Sequence, residues 1–440
     1  MEFERFKYPS LQALKDDAAR RGLSIPLADD ITPLARKHEI AGKTVHNRIV
    51  YQPMEGCDGT ADGSPDELTI RRYKRFAEGG PGIVWFEAVA IVREGRANPR
   101  QLWLTEANLD NYKRIVADIK ADCLAANGFE PLVIMQATHS GRYSKPDGVP
   151  APLIAYNSPI FEKDNPIPAA RIVTDDYIKA MEEKMAESAV LAVKAGFDGV
   201  DIKACHRYLN CELLSAFTRN GLYGGSFENR TRFFRNSQAA VTAAVPKDFI
   251  VTSRMNAYDG FVYPYGFGVT ENNGIEVDLT EAKTLIALLR DGGMKLINLT
   301  MGNPYFNPHV NRPYDAGGYV PPEHPLEGVA RMLNGMGEIQ KAVPEVQVVS
   351  TGYSYLREYA ANAGAAMLAD GNCAYVGIGR LNFAYPDFAK DAVAGRVDKK
   401  KICLACGKCT EIMRAGSTPG CVIRDSEVYM PLYKQYCASK

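Results

Sequence analysis

The stretch "TDDYIKAMEEKMAESAVLAVKAGFDGVDIKA" (174–204) contains a helix followed directly by a buried strand. Its first part places apolar residues three and four positions apart, a spacing typical of a helix with one apolar face. Gly196 is expected to end this helix. The apolar run "GVDIKA" (199–204) then predicts a strand covered on both faces, as in a parallel sheet. The apolar helical positions are Ile178, Met181, Met185, Ala189 and Ala192.

Seven further runs of this strand type are spread along the chain. Together with 199–204 they give eight strand–helix units, which predict an α/β fold, a (β/α)₈ TIM barrel. A doubly wound open sheet is the alternative, but no GxGxxG turn follows an early strand. The seven runs are "RIVYQP" (48–53), "GIVWFEA" (82–88), "PLVIMQA" (131–137), "FIVTSR" (249–254), "KLINLT" (295–300), "VQVVST" (346–351) and "AYVGIG" (374–379).

Helical segments lie between these strands. In "SPDELTIRRYKRFAEGG" (64–80) we expect Ser64 as the N-cap, Pro65 at the first helical position and Glu67 completing a capping box. Gly79 and Gly80 are expected to end that helix. The segment "LTEAKTLIALLRDGG" repeats the pattern before the sixth strand.

Composition narrows the class of protein. The chain has 440 residues, is 46% hydrophobic and 24% charged, and carries zero net charge, so nucleic acid and acidic membranes are not expected partners. With no long apolar run and a charged N-terminus, we expect no signal peptide, no membrane span and a cytoplasmic protein with reduced thiols. Six scattered cysteines are then interpreted as small buried apolar residues: Cys57, Cys123, Cys205, Cys211, Cys373 and Cys437.

Polar residues and glycines stand where the predicted strands end. A barrel gathers these positions on one face, where ligands bind. Glycines after strands seven and eight would let backbone N–H groups approach a phosphate, and Arg380 would add a bidentate contact. The long connections after strands three and six are expected to be functional loops. The strand-end residues are Glu55, Glu87, Ala88, Gln136, His139, Lys203, His206, Arg254, Asn298, Asn303, Gly352, Gly379 and Arg380.

Four strings identify a family resemblance over roughly residues 30–395. They are "NRIVYQPM" (47–54), "QATHSGR" (136–142), "YGGSFENRTRF" (223–233) and "IGRLNFAYPDF" (378–388). They resemble the Old Yellow Enzyme family of FMN-dependent ene-reductases, in which "YGGSxENRxRF" is highly specific.

The resemblance implies positions that hold FMN. Arg254 would sit beside N1 of the flavin, where a cation offsets the negative charge that reduction creates; a salt-bridged barrel arginine is the alternative. Ala88 would face the ring edge, and Gln136 would bond the pyrimidine edge. The remaining positions are Pro53, Met54 and Glu55 along the isoalloxazine, and Gly352, Gly379 and Arg380 around the phosphate.

The substrate-binding string "DIKACHRYL" (201–209) departs from the family pattern. Many members carry His-x-x-Asn or His-x-x-His there, whereas Lys203 replaces the first histidine and His206 keeps the second position. Lys203 would polarise a carbonyl or pair with a carboxylate, His206 would donate a hydrogen bond, and Tyr208 would deliver a proton. The alternatives are that Lys203 packs against an acid and that Tyr208 is a structural hydroxyl.

The connection "NPYFNPHVNRPYD" (303–315) is interpreted as a substrate lid. It would bring Tyr305, His309, Arg312 and Tyr314 near the mouth of the barrel, with Arg312 as an anion contact. A solvated loop is the alternative.

A cysteine-rich tail follows the barrel. The run "CLACGKC" (403–409) and a remote Cys421 fit a [4Fe–4S] cluster held by Cys403, Cys406, Cys409 and Cys421. A structural zinc would usually use two paired knuckles, so zinc and plain thiols are the weaker alternatives. The tail narrows the resemblance to the iron–sulfur branch, similar to 2,4-dienoyl-CoA reductase and trimethylamine dehydrogenase. Those proteins continue into further nucleotide-binding domains, which we expect this chain to lack.

The sequence therefore predicts an enzyme with two parts. Residues 1–395 form an FMN-binding barrel with an N-terminal extension (1–45), and residues 396–440 form the cluster-binding segment. The expected reaction reduces an activated C=C bond of an enone or enoate, with hydride from reduced FMN and a proton from Tyr208 or His206. Electrons would come from NAD(P)H or, through the cluster, from a separate donor protein. An oxidative dehydrogenase or demethylase and an electron-transfer subunit are the alternatives, and a homo-oligomer is left open.

Overall fold

Eight parallel strands close into a barrel in the computed structural model, which describes residues 5–272 and 274–437. Each strand pairs with its neighbours in chain order, and the last strand pairs with the first. The predicted TIM barrel is confirmed, and the open-sheet alternative is wrong. The barrel strands are β3 (Ile49–Tyr51), β4 (Ile83–Ala90), β5 (Leu132–Thr138), β6 (Gly199–Ile202), β7 (Ile250–Tyr258), β8 (Leu296–Met301), β9 (Gln347–Ser350) and β10 (Tyr375–Ile378).

Helices follow the strands, and shorter helices lie in the loops at the strands' C-terminal ends. The helices are α1 (Leu11–Arg20), α2 (Glu67–Glu78), α3 (Leu109–Asn127), α4 (Asp175–Lys194), α5 (Leu209–Leu214), α6 (Phe227–Arg230), α7 (Arg232–Ala244), α8 (Thr280–Asp291), α9 (Pro308–Asn311), α10 (Pro325–Ala342), α11 (Ala360–Ala369), α12 (Arg380–Ala384), α13 (Phe388–Val393), α14 (Lys408–Arg414) and α15 (Ser426–Cys437).

Helix α4 matches the sequence prediction. The Thr174 side chain caps its first turn by accepting from the Tyr177 backbone N–H at 3.1 Å. All five residues of the predicted apolar stripe are buried, and Gly196 follows the helix with a φ of +86°. An L-residue with a side chain is strained at that angle, so glycine is the natural stop.

The predicted start of α2 is wrong by two residues. Asp66, rather than Ser64, is the N-cap, and its carboxylate accepts from the Glu67 backbone N–H at 2.8 Å. The Ser64 hydroxyl instead donates to Asp62 at 3.1 Å, in the turn before the helix. Asp and Ser are similarly good N-caps, so sequence preference alone does not separate them. The predicted end at Gly79 is confirmed.

A two-stranded hairpin, β1 (His38–Ile40) and β2 (Lys43–Val45), covers the N-terminal end of the barrel. Its Ile40 and Val45 belong to one apolar cluster with residues at the starts of the barrel strands, such as Ile83 and Leu132. This stretch belongs to the predicted N-terminal extension (1–45), for which the sequence predicted no strands. The hairpin closes the end of the barrel opposite the predicted ligand site.

A polar layer lies inside the barrel above this apolar floor. The side-chain amides of Gln52 and Asn298 exchange hydrogen bonds of 3.1 and 2.7 Å. The Asp201 carboxylate accepts from Trp85 Nε1 at 2.8 Å. Buried polar groups that are satisfied in this way are rigid, so the layer forms a fixed base for the strand ends above it.

The C-terminal segment packs against the barrel. On the segment, Asp425 accepts from Arg71 of α2 at 2.8 and 2.9 Å and also pairs with Arg75. Ile402 is 1% exposed and belongs to the main apolar core. Within the described ranges, no helix combines the length and apolar character needed to cross a bilayer.

Candidate active site at the mouth of the barrel

A cavity of about 1120 Å³, partly open to solvent, lies at the C-terminal ends of the strands. Every residue predicted to bind FMN or to act in catalysis lines it. The structure thus brings the predicted set together, while the role of each residue stays a prediction. The lining residues from that set are Pro53, Met54, Glu55, Ala88, Gln136, Lys203, His206, Tyr208, Arg254, Gly352, Gly379 and Arg380.

Other lining residues were not identified from the sequence. Gln52, Thr300 and Thr351 stand at strand ends, so the rule used for the other positions applies to them as well. The C-terminal segment contributes a second group, Cys409, Thr410, Met413 and Pro419. No sequence signal predicts this second group, because its position depends on how the segment docks on the barrel.

Arg254 is a buried cation with no ion-pair partner among the residues that the structure describes. It is 9% exposed, and its Nε is a buried donor without an acceptor. Its backbone N–H donates to Asp201 Oδ1 at 2.6 Å, which fixes the strand beneath it. The salt-bridge alternative for Arg254 therefore has no counterpart among the residues that the structure describes. An unpaired buried cation in a cavity wall is suited to an anionic or electron-rich ligand.

Asp201 orients Gln136. Its Oδ2 accepts from Gln136 Nε2 at 2.6 Å, in addition to the bond from Trp85. Burial raises the pKa of Asp201 to about 6, although the hydrogen bond from Gln136 opposes the shift. Because the Gln136 NH₂ is engaged, its carbonyl oxygen is the group available to a ligand N–H.

Two glycines shape the wall at β9 and β10. Gly352 has a φ of +109°, and a Cβ there would approach Met332 Sδ to 3.0 Å. A Cβ at Gly377 would overlap the side-chain amide of Gln52. Nearby, Arg380 Nη1 donates to Thr410 Oγ1 at 2.5 Å and lies 3.8 Å from Cys409 Sγ. Arg380 therefore contacts the C-terminal segment as well as the cavity predicted to hold the phosphate.

Tyr208 is the centre of a polar cluster on another wall. Its hydroxyl donates to Glu55 Oε2 at 3.2 Å and lies 3.1 Å from the Tyr305 hydroxyl. Lys203 Nζ sits 3.6 Å from the centroid of the Tyr208 ring. No described residue forms a hydrogen bond or ion pair with the Lys203 ammonium, so it rests on an aromatic face rather than on an acid. Burial lowers the pKa of Lys203.

His206 is half-buried, and its Nε2 lies 3.5 Å from Asn311 Nδ2. Burial lowers the pKa of His206 well below its ordinary value, and the cations Arg254, Lys203 and Arg380 lower it further. At neutral pH the imidazole is therefore uncharged. A neutral imidazole has one N–H to donate, which suits a carbonyl oxygen.

Arg207, between these two residues, fixes their loop. His206 and Arg207 adopt φ angles of +62° and +64°, which are strained for residues with side chains. The fully buried Arg207 guanidinium donates to Ser215 Oγ at 2.6 Å, Tyr265 O at 2.8 Å and Tyr156 Oη at 2.7 Å. These bonds hold the strained turn in place. Sequence analysis missed Arg207, because its partners are distant in the chain.

The connection predicted to form a lid does cover the mouth. Tyr305 and Arg312 line the cavity, and the Tyr305 ring packs 4.2 Å from the ring of Tyr143. His309 and Tyr314 do not line it: His309 bonds the Tyr319 hydroxyl at 2.5 Å, and Tyr314 is 2% exposed. The packed aromatic residues contradict the solvated-loop alternative.

The four cysteines of the tail line a second cavity, of about 390 Å³, adjacent to the first. All ten cysteines are free thiols. Cys409, Arg380, Arg312 and Phe383 line both cavities. The two sites therefore share a wall.

Backbone donors point at the sulfurs of this second cavity. Ala405 N–H donates to Cys403 Sγ at 3.4 Å, and Arg424 N–H donates to Cys421 Sγ at 3.3 Å. Burial, together with the neighbouring thiols of the tail, raises the pKa of Cys403 to about 12. In the described part of the chain, no group of three or more His, Cys, Asp or Glu side chains is arranged to hold a metal ion.

Residues 37–300 match the model of the NADH:flavin oxidoreductase / NADH oxidase family. The chain belongs to this family. It is 26% identical to the NADH oxidase of Thermoanaerobacter brockii over 378 residues, which cover 83% of this chain and 52% of that protein. The chain thus spans about half of that relative's length. Members of the family are flavin-dependent oxidoreductases, and the resemblance to Old Yellow Enzyme is confirmed.

Solved structures agree on the fold of this family member. A 2-naphthoyl-CoA reductase complex matches with a TM-score of 0.73 at 20% identity, covering 90% of this chain and 57% of that one. Morphinone reductase matches with a TM-score of 0.61 at 21% identity, covering 84% and 93%. These similarities show that the barrel fold is shared along most of this chain.

The cavity of this family member fits FMN. Arg254 offers a buried cation with no ion-pair partner among the described residues, Gln136 offers a fixed carbonyl oxygen, and Gly352, Gly377 and Gly379 add no side chain to the cavity wall. Arg380 adds a guanidinium at the same end as these glycines. A flavin needs these features, namely a cation near N1, a partner for its pyrimidine edge and a cradle for its phosphate.

Proposed function

We propose that this chain is an FMN- and [4Fe–4S]-dependent reductase of activated C=C bonds in enones or enoates. The observation that carries this proposal is the convergence of Lys203, His206 and Tyr208 on the cavity that fits FMN. We also propose the division into a barrel of residues 1–395 and a cluster-binding segment of residues 396–440.

Each of the three side chains has a role in this reaction. FMN bound in the cavity would supply the hydride. The Lys203 ammonium, which lacks a carboxylate partner among the described residues, polarises the substrate carbonyl. The neutral His206 imidazole donates a second hydrogen bond, and the Tyr208 hydroxyl supplies the proton. The oxygen of an enone or enoate gains negative charge as hydride arrives, so a cation and a donor at that oxygen favour the transition state.

Cys403, Cys406, Cys409 and Cys421 would hold the cluster. Four free thiols line one cavity, and backbone N–H groups point at two of the sulfurs. A tetrahedral zinc ion would draw its four sulfurs to within about 3.8 Å of one another, given Zn–S bonds of 2.3 Å. A cubane instead binds one thiolate at each of its four iron corners, so it does not need a single point close to all four sulfurs.

An acidic one-electron carrier protein is the proposed donor. Residues 396–437 carry eight Lys or Arg against four Asp or Glu, a net charge of +4 in a chain of zero net charge. Lys399, Lys400 and Arg424 are exposed, and Leu404 beside the cysteines is 37% exposed. A basic rim around an exposed apolar residue favours the docking of an acidic partner. NAD(P)H remains the alternative donor.

The proposal is tested on protein purified without oxygen. Iron, sulfide and flavin are assayed first, and the protein is then reduced with dithionite and mixed with a panel of enones and enoates. We expect flavin reoxidation by at least one of them, and a much slower reoxidation in Y208F with flavin reduction unchanged. Failure of the whole panel would contradict C=C reduction, and flavin reduction by amines would favour the oxidative direction. Bleaching by NADH or NADPH distinguishes direct from carrier-mediated electron entry.

A further inference from the structure

The Tyr208 hydroxyl has two polar neighbours and a single hydrogen. It donates to Glu55 Oε2 at 3.2 Å and lies 3.1 Å from the Tyr305 hydroxyl. A phenol carries one O–H, so a hydrogen bonded to the Glu55 carboxylate is not available to a substrate. When Glu55 is ionised, the Tyr208 proton that C=C reduction needs is therefore engaged in the hydrogen bond to the carboxylate.

The surroundings of the Glu55 carboxyl group favour its neutral, protonated form. Its second oxygen, Oε1, is buried and has no hydrogen-bond partner among the described side chains and backbone groups. A carboxylate with an unsatisfied buried oxygen is costly, and protonation removes that cost. Burial raises the pKa of Glu55, while the Lys203 ammonium and the hydrogen bond from Tyr208 oppose the shift.

Among the described residues, four titratable groups face Glu55. Lys203 at the end of β6 is the cation, and Tyr208 before α5 is the bonded phenol. Tyr305, in the loop after β8, and Cys57, in the loop of Glu55 itself, have pKa values raised well above the ordinary by burial. Both stay neutral at physiological pH. Glu55 and Lys203 are therefore the groups whose charges set the field at Tyr208.

We propose that the protonation state of Glu55 decides whether Tyr208 is able to donate its proton to the substrate. When Glu55 is neutral, its carboxyl O–H donates to Tyr208 Oη and the Tyr208 hydrogen turns to the substrate. When Glu55 is ionised, the Tyr208 O–H stays hydrogen-bonded to the Glu55 carboxylate. This inference rests on the proposed reduction of C=C bonds and adds a pH-dependent control to it.

One turnover transfers one hydride and one proton to the double bond. Hydride forms a C–H bond at one carbon of the double bond and brings both electrons. The Tyr208 O–H bond breaks, its proton forms the C–H bond at the neighbouring carbon, and the electron pair stays on the phenol oxygen. The Glu55 carboxyl proton then moves along the existing hydrogen bond to that oxygen. Glu55, left as a carboxylate, regains a proton from solvent.

Tyr305 does not replace Glu55 in this role. Its hydroxyl contacts Tyr208, and its ring is held against Tyr143. No described carboxyl bonds the Tyr305 hydroxyl, so Glu55 is the acid in direct contact with Tyr208 in the described ranges. Glu55 supplies the proton through Tyr208 and is a positioning residue.

Infrared titration of the oxidised, flavin-loaded protein tests the coupling without turnover. We expect the C=O band of a protonated carboxyl that is absent in E55Q and that titrates above the ordinary range of glutamate. In Y208F the titration moves to higher pH, because the carboxylate loses its donor. Y143F, which lies in the same aromatic cluster without contacting Glu55, leaves the titration in place. Titration at the ordinary value, or no movement in Y208F, overturns the proposal.

The pH profile of turnover gives the second test. Reoxidation of dithionite-reduced protein by 2-cyclohexen-1-one is expected to slow about tenfold per pH unit above the Glu55 titration. E55Q loses this alkaline fall, because an amide does not ionise, and E55D restores it at a shifted pH. A wild-type rate that is flat across the titration overturns the proposal. If the enone reoxidises neither wild type nor any variant, the proposed C=C reduction is wrong. The infrared titration then tests the coupling of Glu55 to Tyr208 by itself.

Discussion

Arg380 donates a hydrogen bond to the Thr410 hydroxyl at 2.5 Å, and this bond joins the end of β10 to the start of α14. The same guanidinium nitrogen lies 3.8 Å from Cys409 Sγ. One side chain thus contacts the barrel cavity, the helix of the tail and a cysteine of the second cavity. A substitution of Arg380 is therefore expected to affect both the barrel cavity and the cysteine-lined cavity.

Replacement of Arg380 by alanine should weaken FMN binding. A charged hydrogen bond contributes about 1.5–3 kcal/mol, which corresponds to a loss of about tenfold to a hundredfold in affinity. Flavin fluorescence during titration of flavin-free protein measures the dissociation constant. R396A is the matched control. Arg396 is an exposed arginine that does not line the cavity, and its Nε lies 2.9 Å from the Asp391 carboxylate. Equal affinities in R380A and R396A would exclude a phosphate role for Arg380.

Replacement of Arg207 by methionine should destabilise the protein. Arg207 is fully buried, and its loss leaves Ser215, Tyr156 and the carbonyl of Tyr265 without their donor. Breaking a buried charged network of this kind costs about 3–5 kcal/mol. Urea unfolding measures the change, with R36M as the control at an exposed arginine. If the free energies of unfolding of R207M and R36M differed by less than about 1 kcal/mol, which is on the order of a surface effect, the anchoring role of Arg207 would be contradicted.

The strands were predictable because a barrel strand has a local signature. Each is a short apolar run covered on both faces, and all eight runs found in the sequence are barrel strands. The strand-end positions followed from the same signature, because the residues after each strand lie at one end of the barrel, whereas Pro53, Met54 and the flavin roles came from the family resemblance. Nine of the thirteen strand-end residues line the cavity, whereas Glu87, His139, Asn298 and Asn303 do not.

Features that depend on distant contacts were not predictable. Arg207 looks like any polar loop residue until Tyr156 and Ser215 are seen beside it. The wall formed by Met413 and Pro419 depends on how the tail docks. The cap of α2 was missed for a different reason, because Ser64 and Asp66 are almost equally good caps in the same turn.

Substitution of Cys406 by serine should remove iron and leave FMN in place. Cys406 lines the second cavity and not the first, whereas a cubane needs a thiolate at each corner. Iron and flavin contents are assayed on anaerobically purified protein. C437S is the control, because Cys437 at the end of α15 lies outside both cavities. Iron retained in C406S at the level of C437S would exclude Cys406 as a ligand.

Asp201 should make stability fall as pH rises. Its pKa is about 6 in the folded protein, above the ordinary 3.8, so the folded state binds the proton more tightly. Ionisation of Asp201 therefore lowers the free energy of unfolding, by about 1.3 kcal/mol between pH 5 and pH 7. Urea unfolding of wild type and D201N at both pH values, at fixed flavin concentration, measures the difference. The same pH dependence in both proteins would contradict the raised pKa.

Replacement of Lys203 by methionine should separate substrate activation from flavin reduction. Methionine is one atom shorter than lysine and similarly unbranched, and it removes the ammonium that lies 3.6 Å from the Tyr208 ring centroid. Loss of one such stabilising group at a developing oxyanion lowers the rate about 10²–10³-fold. We expect that loss in reoxidation by an enone, while reduction by dithionite stays within about twofold of wild type. K203R, which retains a cation, should recover part of the rate. If K203M reoxidised as fast as wild type, Lys203 would be a packing residue and His206 would be the main contact to the carbonyl.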